Sequence, residues 1–100
     1  MIKCFVINLD RRKDRLKKIS SHLHKNHFKF HRFSAIDAES ESLSKLNKNI
    51  LQNGPMGKIF KGDLACFQSH YRLWKHIAEN ENNPILILED DTYISKALEI

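Results

Sequence analysis

Three adjacent carboxylates, Glu89, Asp90 and Asp91, follow the apolar run at 85–88. Apolar side chains on both faces indicate a buried strand, so the acids are expected at its carboxyl end, where open α/β sheets bind ligands. Neighbouring negative charges repel one another unless water or a cation compensates them. Oxygen-rich clusters suit Mg²⁺ or Mn²⁺, and such ions hold phosphates. A solvated acidic turn is the alternative that these residues leave open.

A second polar cluster, Asn-Leu-Asp-Arg-Arg-Lys-Asp-Arg at 8–15, follows the first apolar run. A strand that feeds directly into a helix amino terminus forms a natural nucleotide site, and arginines offer planar forks for phosphate. The segment has no glycine-rich loop, so it matches neither a P-loop nor a Rossmann fingerprint. A charged first helical turn is the alternative interpretation.

Five of the six histidines fall into two groups. His22, His24, His27 and His31 have a spacing that matches no firm metal-ligand pattern, which favours surface histidines. His70 lies on the apolar stripe of a predicted helix, where a core histidine with one satisfied ring nitrogen is the usual interpretation. Its closeness in sequence to the acids makes a functional role the competing interpretation.

The elements that must position these groups begin with a β-α-β unit. An apolar segment at 2–8 predicts a buried strand. Leu16, Ile19 and Leu23 then predict an amphipathic helix over about 11–25, capped by Asp10. Partial alternation over 28–33 predicts a second strand, joined by a right-handed crossover.

The second half is predicted to add a polar insert, a helix and the acid-tipped strand. Within 37–62, Leu43, Leu46 and Ile50 indicate a short helix that ends at Asn53-Gly54-Pro55. Asp63 is the expected N-cap of a helix over 64–79. The side chains expected to be buried against the sheet are Phe67, Leu73, Trp74 and Ile77. The order of elements predicts an α/β fold with a sheet that is at least partly parallel, and the ends at Asn8 and Glu89 on one edge.

Charge and cysteine content narrow the class of protein. The net charge is +5, and the ten Lys/Arg against two acids through Phe33 make the first third basic. Such a segment suits a nucleotide, an anionic lipid or a nucleic acid, although a solvated helix face is the common outcome. The charged start does not resemble a secretory signal, and no segment has the length of a bilayer span. We therefore expect a cytosolic protein in which Cys4 and Cys66 are reduced, buried thiols.

Four segments together resemble glycosyltransferase family 25, the lipopolysaccharide and lipooligosaccharide glycosyltransferases and their collagen galactosyltransferase relatives. They are CFVINLDRRKDRLKKI, RFSAIDA, GDLACFQSHYRLWKHIAE and ILILEDD, in family order and over nearly the whole chain. Ser69 and His70 fall on the family's Ser-His pair. Ala65 stands where a second glycine is common, which is a small-for-small difference.

The resemblance implies a GT-A-like (Rossmann-like), mostly parallel sheet and transfer of a sugar, often galactose, from a UDP-sugar to a lipooligosaccharide or other saccharide acceptor. It also implies Mn²⁺ or Mg²⁺ as cofactor. Asp91 is then the expected metal ligand, in a Glu89-x-Asp91 motif. Glu89 or Asp90 would contact a ribose or sugar hydroxyl, or order water at the metal. The residues expected on the uridine-diphosphate side are Asn8, Arg12 and Arg15, and the expected catalytic residue is His70.

On this interpretation residues 1–100 are the amino-terminal, nucleotide-sugar-binding portion of a glycosyltransferase domain, and a downstream half supplies the acceptor site. A truncated, inactive fragment is one form of this hypothesis. The expected location is cytoplasmic, with a peripheral contact to the anionic inner membrane surface. Two alternatives come from other classes: ILILEDD also resembles the Mg²⁺-binding acid pair of response regulators, and the basic residues fit a nucleic-acid-binding module. Nucleic acid is the less favoured partner, because the aromatic residues resemble core residues.

Overall fold

The structure is a computed structural model that describes residues 2–39, 53–54, 57–58 and 61–93. In chain order the elements are β1 (Lys3–Asn8), α1 (Lys13–Lys25), β2 (His31–Ser34), β3 (Asn53–Gly54), β4 (Gly57–Lys58), α2 (Lys61–Asn80) and β5 (Ile85–Glu89).

Three parallel strands form the sheet, in the order β2-β1-β5. Asn8 pairs with Ser34 of β2, and Ile7 pairs with Glu89 of β5. The carboxyl ends of all three strands therefore meet at one edge. This confirms the predicted α/β class, the parallel β-α-β unit and the placement of Asn8 and Glu89 on a shared edge.

The central strand β1 is buried on both faces because a helix covers each side of the sheet. On one side Ile19 and Leu23 of α1 pack with Cys4 and Val6, as the spacing of the apolar residues in α1 predicted. On the other side Leu73 of α2 completes a second cluster. Side chains of β1 alternate between the two clusters, since successive residues of a strand point to opposite faces.

The start of α1 differs from the prediction. Arg12, not Asp10, is the N-cap residue, and it makes no side-chain capping hydrogen bond. Asp10 instead accepts hydrogen bonds from the Ser34 hydroxyl at 2.8 Å and from the Arg32 guanidinium. These bonds, led by the one from Arg32, lower the pKa of Asp10. The carboxylate thus joins the carboxyl ends of β1 and β2, because a cationic partner outcompetes backbone N–H groups.

Helix α2 is longer than predicted and presents a different face to the sheet. It begins at Lys61, so Asp63 lies in its first turn and is not the N-cap. Leu73 is fully buried and Ile77 packs against the same cluster, as predicted. Phe67 and Trp74 are 39% and 49% exposed, so the prediction that they are buried was wrong.

The physical reason is the small size of two residues on the inward face of α2. Ala65 and Ser69 are buried, and Ala65 packs against Ile36 and Ala38 in the segment after β2. Small side chains permit close approach of the helix to that segment. The aromatic stripe is consequently turned away from the sheet.

The segment between β2 and α2 contributes a two-stranded antiparallel pair, in which Asn53 pairs with Lys58 and Gly54 with Gly57. The sequence pattern had not predicted it. The predicted short helix around Leu43, Leu46 and Ile50 lies outside the described residues. Neither α1 nor α2 combines the length and the hydropathy that crossing a bilayer requires.

Candidate functional site

A cleft of about 420 Å³ lies at the carboxyl edge of the sheet. Because the three strands are parallel, the segments that leave them supply its walls, and the first half of α2 closes one side. Five of the seven predicted site residues line it: Arg15, His70, Glu89, Asp90 and Asp91. The edge of the sheet therefore brings together residues that are far apart in sequence, as the strand-end rule for α/β folds predicts.

Asn8 lies beneath the cleft and is 2% exposed. Its Nδ2 donates to Asp90 Oδ2 at 2.8 Å and to the Arg12 carbonyl at 3.1 Å, and its Oδ1 accepts from Arg32 Nε at 2.9 Å. These bonds use both amide hydrogens and the amide oxygen. The geometry makes Asn8 the residue that positions Asp90, and Asn8 is not among the described residues that line the cleft.

Arg12 and Arg15 have different surroundings although they share one helical turn. Arg12 donates to both carboxylate oxygens of Asp14, at 3.0 and 3.1 Å, and this contact lowers the pKa of Asp14 to about 2. Arg12 does not line the cleft. Arg15 does, and its Nη1 lies 3.6 Å from Asp90 Oδ1. Asp90 thus has Asn8 on one oxygen and Arg15 beside the other.

Sequence reasoning missed an ion pair in the cleft wall, between Arg11 and Asp37. Arg11 Nε donates to Asp37 Oδ2 at 2.7 Å, and this bond lowers the pKa of Asp37. Both residues line the cleft. Asp37 follows β2 in the way that the acids follow β5, so the same strand-end rule could have identified it. For Arg11 the sequence gives no signal that separates it from the neighbouring arginines.

The acids at the end of β5 differ in how they are held. The Asp90 carboxylate is engaged by Asn8 and Arg15, and its side chain is 11% exposed. Asp91 is exposed at the cleft. Glu89 is about half exposed and lies 3.2 Å from the His70 ring. Glu89 and Asp91 therefore offer the hard oxygen ligands that Mg²⁺ or Mn²⁺ prefers, while Asp90 is fixed by protein contacts.

Cys66 is a further residue whose burial the sequence predicted wrongly. It is exposed, not buried, and it lines the cleft, whereas Cys4 is buried as predicted; both thiols are free. Cys66 Sγ lies 3.7 Å from Glu89 Oε1. Desolvation of the sulfur, followed by the negative charge of Glu89, raises the pKa of the Cys66 thiol.

His70 lies at the cleft as the sequence suggested, and its Nε2 is 3.2 Å from Glu89 Oε1. Cys66 and His70 are four residues apart on α2, so they project from the same face. Each of Cys66, His70 and Glu89 offers one ligand atom, and these three atoms lie within 4.8 Å of one another. The four amino-terminal histidines form no such group within the described residues.

Ser69 fixes this part of α2 against the segment after β2. Its hydroxyl accepts from the Ile36 N–H at 2.9 Å, donates to the Ala65 carbonyl at 2.8 Å and is 3% exposed. We expect Ser69→Ala to lower the free energy of unfolding by about 1–3 kcal/mol, because it leaves the Ile36 N–H without this acceptor. Urea denaturation measures the change.

The matched control for Ser69→Ala is Ser21→Ala, at an exposed position of α1. We expect that variant to stay within about 0.5 kcal/mol of the parent. Equal midpoints for the two variants would show that the Ser69 hydroxyl does not hold the loop to the helix.

Comparisons with known proteins agree on one family. The model of glycosyltransferase family 25 (LPS biosynthesis protein) matches residues 1–100. Procollagen galactosyltransferase 2 of Homo sapiens is 30% identical over 94 residues, which is 87% of this chain and 15% of the relative. A putative glycosyltransferase of Haemophilus influenzae is 34% identical over 94 residues, covering 92% of this chain and 33% of the relative.

A third relative, the lipooligosaccharide biosynthesis protein lic2B of Haemophilus influenzae, is 29% identical over 92 residues. That match covers 92% of this chain and 34% of the relative. The chain therefore spans between about one seventh and one third of the length of these three relatives.

Proposed function

The chain belongs to glycosyltransferase family 25, and we propose that it forms the nucleotide-sugar-binding portion of an enzyme that transfers a sugar to a saccharide. The observation that carries the proposal is the cleft at the carboxyl edge of the sheet, where Arg15, His70 and the acids at the end of β5 converge. The family match extends over residues 1–100. It favours this function over the response-regulator and nucleic-acid-binding alternatives.

In its specific form the proposal is a metal-assisted transferase with a GT-A-like fold, a UDP-sugar donor, galactose as the sugar and a lipooligosaccharide or lipopolysaccharide saccharide as acceptor. The names of two relatives, a procollagen galactosyltransferase and a lipooligosaccharide biosynthesis protein, support the sugar and the acceptor class. The acceptor site would lie outside this chain. A cytoplasmic location at the inner membrane stays a prediction.

The charges of the cleft fit a donor of this kind. Displacement of a nucleoside diphosphate from the anomeric carbon builds negative charge on the leaving group. Arg11 and Arg15 place guanidinium groups in the cleft wall, which is the geometry that recognises phosphate oxygens. A divalent cation bound at Asp91 and Glu89 would supply further positive charge to the diphosphate.

Asp90 and His70 have complementary proposed roles. Asn8 and Arg15 hold the Asp90 carboxylate in one orientation, so it is preorganised to accept hydrogen bonds from a ribose or sugar hydroxyl. Glu89 orients the His70 ring. With Nε2–H donating to Glu89, only the charged form of the ring carries a second N–H, and its Nδ1–H would stabilise the charge that develops on the departing diphosphate. Arg12 lies outside the cleft lining, so its proposed role is indirect: it would support the helical turn that presents Arg15 to the donor.

The test is calorimetric titration of UDP-galactose into the complete encoded protein, with Mn²⁺ and with EDTA. We expect Mn²⁺ to tighten binding at least about tenfold, or about 1.4 kcal/mol. Arg15→Gln should weaken binding under both conditions, because it removes a cleft guanidinium. Lys18→Gln, on the same helix but outside the cleft lining, is the matched control and should leave binding unchanged. If no nucleotide sugar binds under either condition, the proposal fails.

A further inference from the structure

Cys66, His70 and Glu89 form a group that contains a thiol and an imidazole, two ligand types that a magnesium or manganese site does not require. A carboxylate oxygen suits hard cations, but thiolate and imidazole are the ligands of zinc-class ions. All three side chains line the cleft. The group shares Glu89 with the acidic motif and is otherwise separate from it, because Cys66 and His70 belong to α2.

Two of the three distances between these atoms are close to those within a zinc site. From Zn–S, Zn–N and Zn–O bonds of about 2.0–2.3 Å, a tetrahedral centre separates neighbouring ligand atoms by roughly 3.3–3.6 Å. The observed separations are 3.7 Å from Cys66 Sγ to Glu89 Oε1 and 3.2 Å from His70 Nε2 to the same oxygen. The third separation is within 4.8 Å. Rotamer adjustments of a few tenths of an ångström to about an ångström would therefore suffice for coordination.

The backbone that carries the three ligands is fixed on each side. Ser69 and Leu73, on the buried face of α2, hold the helical turn that presents Cys66 and His70. The pairing of Glu89 with Ile7 in the parallel sheet holds the third ligand. Two hydrogen bonds already converge on Glu89 Oε1, from the thiol and from the imidazole. A cation at the centre of the triangle would replace those two bonds.

We propose that Cys66, His70 and Glu89 bind a thiophilic divalent cation of the zinc class, with a fourth coordination position that opens into the cleft. Three protein ligands and one open position are the pattern of a zinc site that can also coordinate a ligand atom or water. The thiolate selects against Mg²⁺ and Mn²⁺. Glu89 belongs both to this group and to the Glu89-x-Asp91 motif. When a zinc-class ion is bound, Glu89 is therefore not available as a ligand for Mg²⁺ or Mn²⁺. The site itself does not depend on the proposed sugar transfer.

The experiment is a titration of the reduced protein with Co²⁺ under anaerobic conditions, monitored by absorption. We expect one equivalent to bind with a thiolate-to-cobalt charge-transfer band, and Zn²⁺ but not Mg²⁺ to abolish that band. Cys66→Ser should remove the band. His70→Gln and Glu89→Gln should each weaken binding by about 100-fold or more, because loss of an outer-shell partner alone costs about 10–100-fold.

Two variants serve as controls. Cys4→Ala removes the other thiol, which is buried in the sheet core, and should keep the band. Asp91→Asn removes an acid of the motif that is outside the three-residue group and should also keep it. The inference is overturned if the parent protein shows no charge-transfer band, if the band survives Cys66→Ser, or if Asp91→Asn abolishes it. Circular dichroism of each variant confirms that the fold is retained.

Discussion

We expect Leu73→Ala to lower the free energy of unfolding by about 2–5 kcal/mol, whereas Trp74→Ala, one residue further along α2, should lower it by about 1 kcal/mol. Leu73 is fully buried and packs with Phe5 and Ile7 in the cluster between α2 and the sheet. Its truncation removes apolar burial and leaves a cavity, the combination that gives the largest losses in cores. Trp74 is 49% exposed, so about half of its surface is already in contact with water and its truncation leaves no enclosed cavity.

The pair is informative because hydrophobicity alone predicts the opposite order. Tryptophan is the larger side chain and has more apolar area to bury, and full burial against the sheet would make Trp74→Ala cost about 3–5 kcal/mol. Urea denaturation of both variants, monitored by circular dichroism, compares the midpoints at a common m value. If Trp74→Ala costs as much as Leu73→Ala, the aromatic stripe faces the core and the orientation of α2 described above is wrong.

The sequence was sufficient to predict the sheet and its functional edge. Apolar runs at β1 and β5 and an amphipathic α1 between two strands permit few topologies, since β-α-β connections place consecutive strands in parallel. Parallel strands end at one edge, so Asn8 and Glu89 were predicted to be neighbours from their positions alone. The register that pairs Ile7 with Glu89 confirms this.

The orientation of α2 could not be predicted in the same way because two stripes compete for the inward face. One is aromatic, with Phe67 and Trp74, and the other has the small residues Ala65 and Ser69 in line with Leu73. Ranking by hydrophobicity selects the aromatic stripe. The structure selects the small one, since the Ser69 hydroxyl satisfies the Ile36 N–H and Ala65 allows close packing. That complementarity depends on a distant segment that no local pattern contains.

The hydrogen-bond partners of the side chains within the site could also not be predicted from the sequence. The resemblance to the family implied that Asn8 contacts the uridine diphosphate. In the structure its side-chain amide is hydrogen-bonded to Asp90, Arg12 and Arg32. The exposure of Cys66 follows from the same rotation of α2 that exposes Trp74. The one signal in the sequence was the spacing of four residues between Cys66 and His70. A metal site also requires Glu89, which β5 supplies and which local sequence does not connect to α2.

We expect Asp91→Asn to abolish the gain in donor affinity that the proposal assigns to Mn²⁺, and to lower the proposed rate of transfer by about 10²-fold or more. Asparagine keeps the shape of aspartate but removes the charge that attracts the ion. A cation contributes several kcal/mol of charge stabilisation at a departing phosphate group, and each 1.36 kcal/mol is a factor of ten in rate. Among the three acids, Asp91 is the exposed aspartate at the cleft, whereas Asp90 is held by Asn8 and Arg15.

The measurement is calorimetry of UDP-galactose with Mn²⁺ and with EDTA, for Asp91→Asn and for two companions. Asp14→Asn changes an exposed aspartate of α1 that pairs with Arg12 outside the cleft lining, and it should keep the full Mn²⁺ effect. Asp90→Asn should weaken binding equally with and without the ion, because it disturbs a preorganised hydroxyl acceptor and not a metal ligand. A Mn²⁺ effect that survives Asp91→Asn would place the metal ligand elsewhere. A Mn²⁺ effect lost only in Asp90→Asn would exchange the roles of the two aspartates, and the contact between Asn8 and Asp90 would then serve to orient the metal ligand.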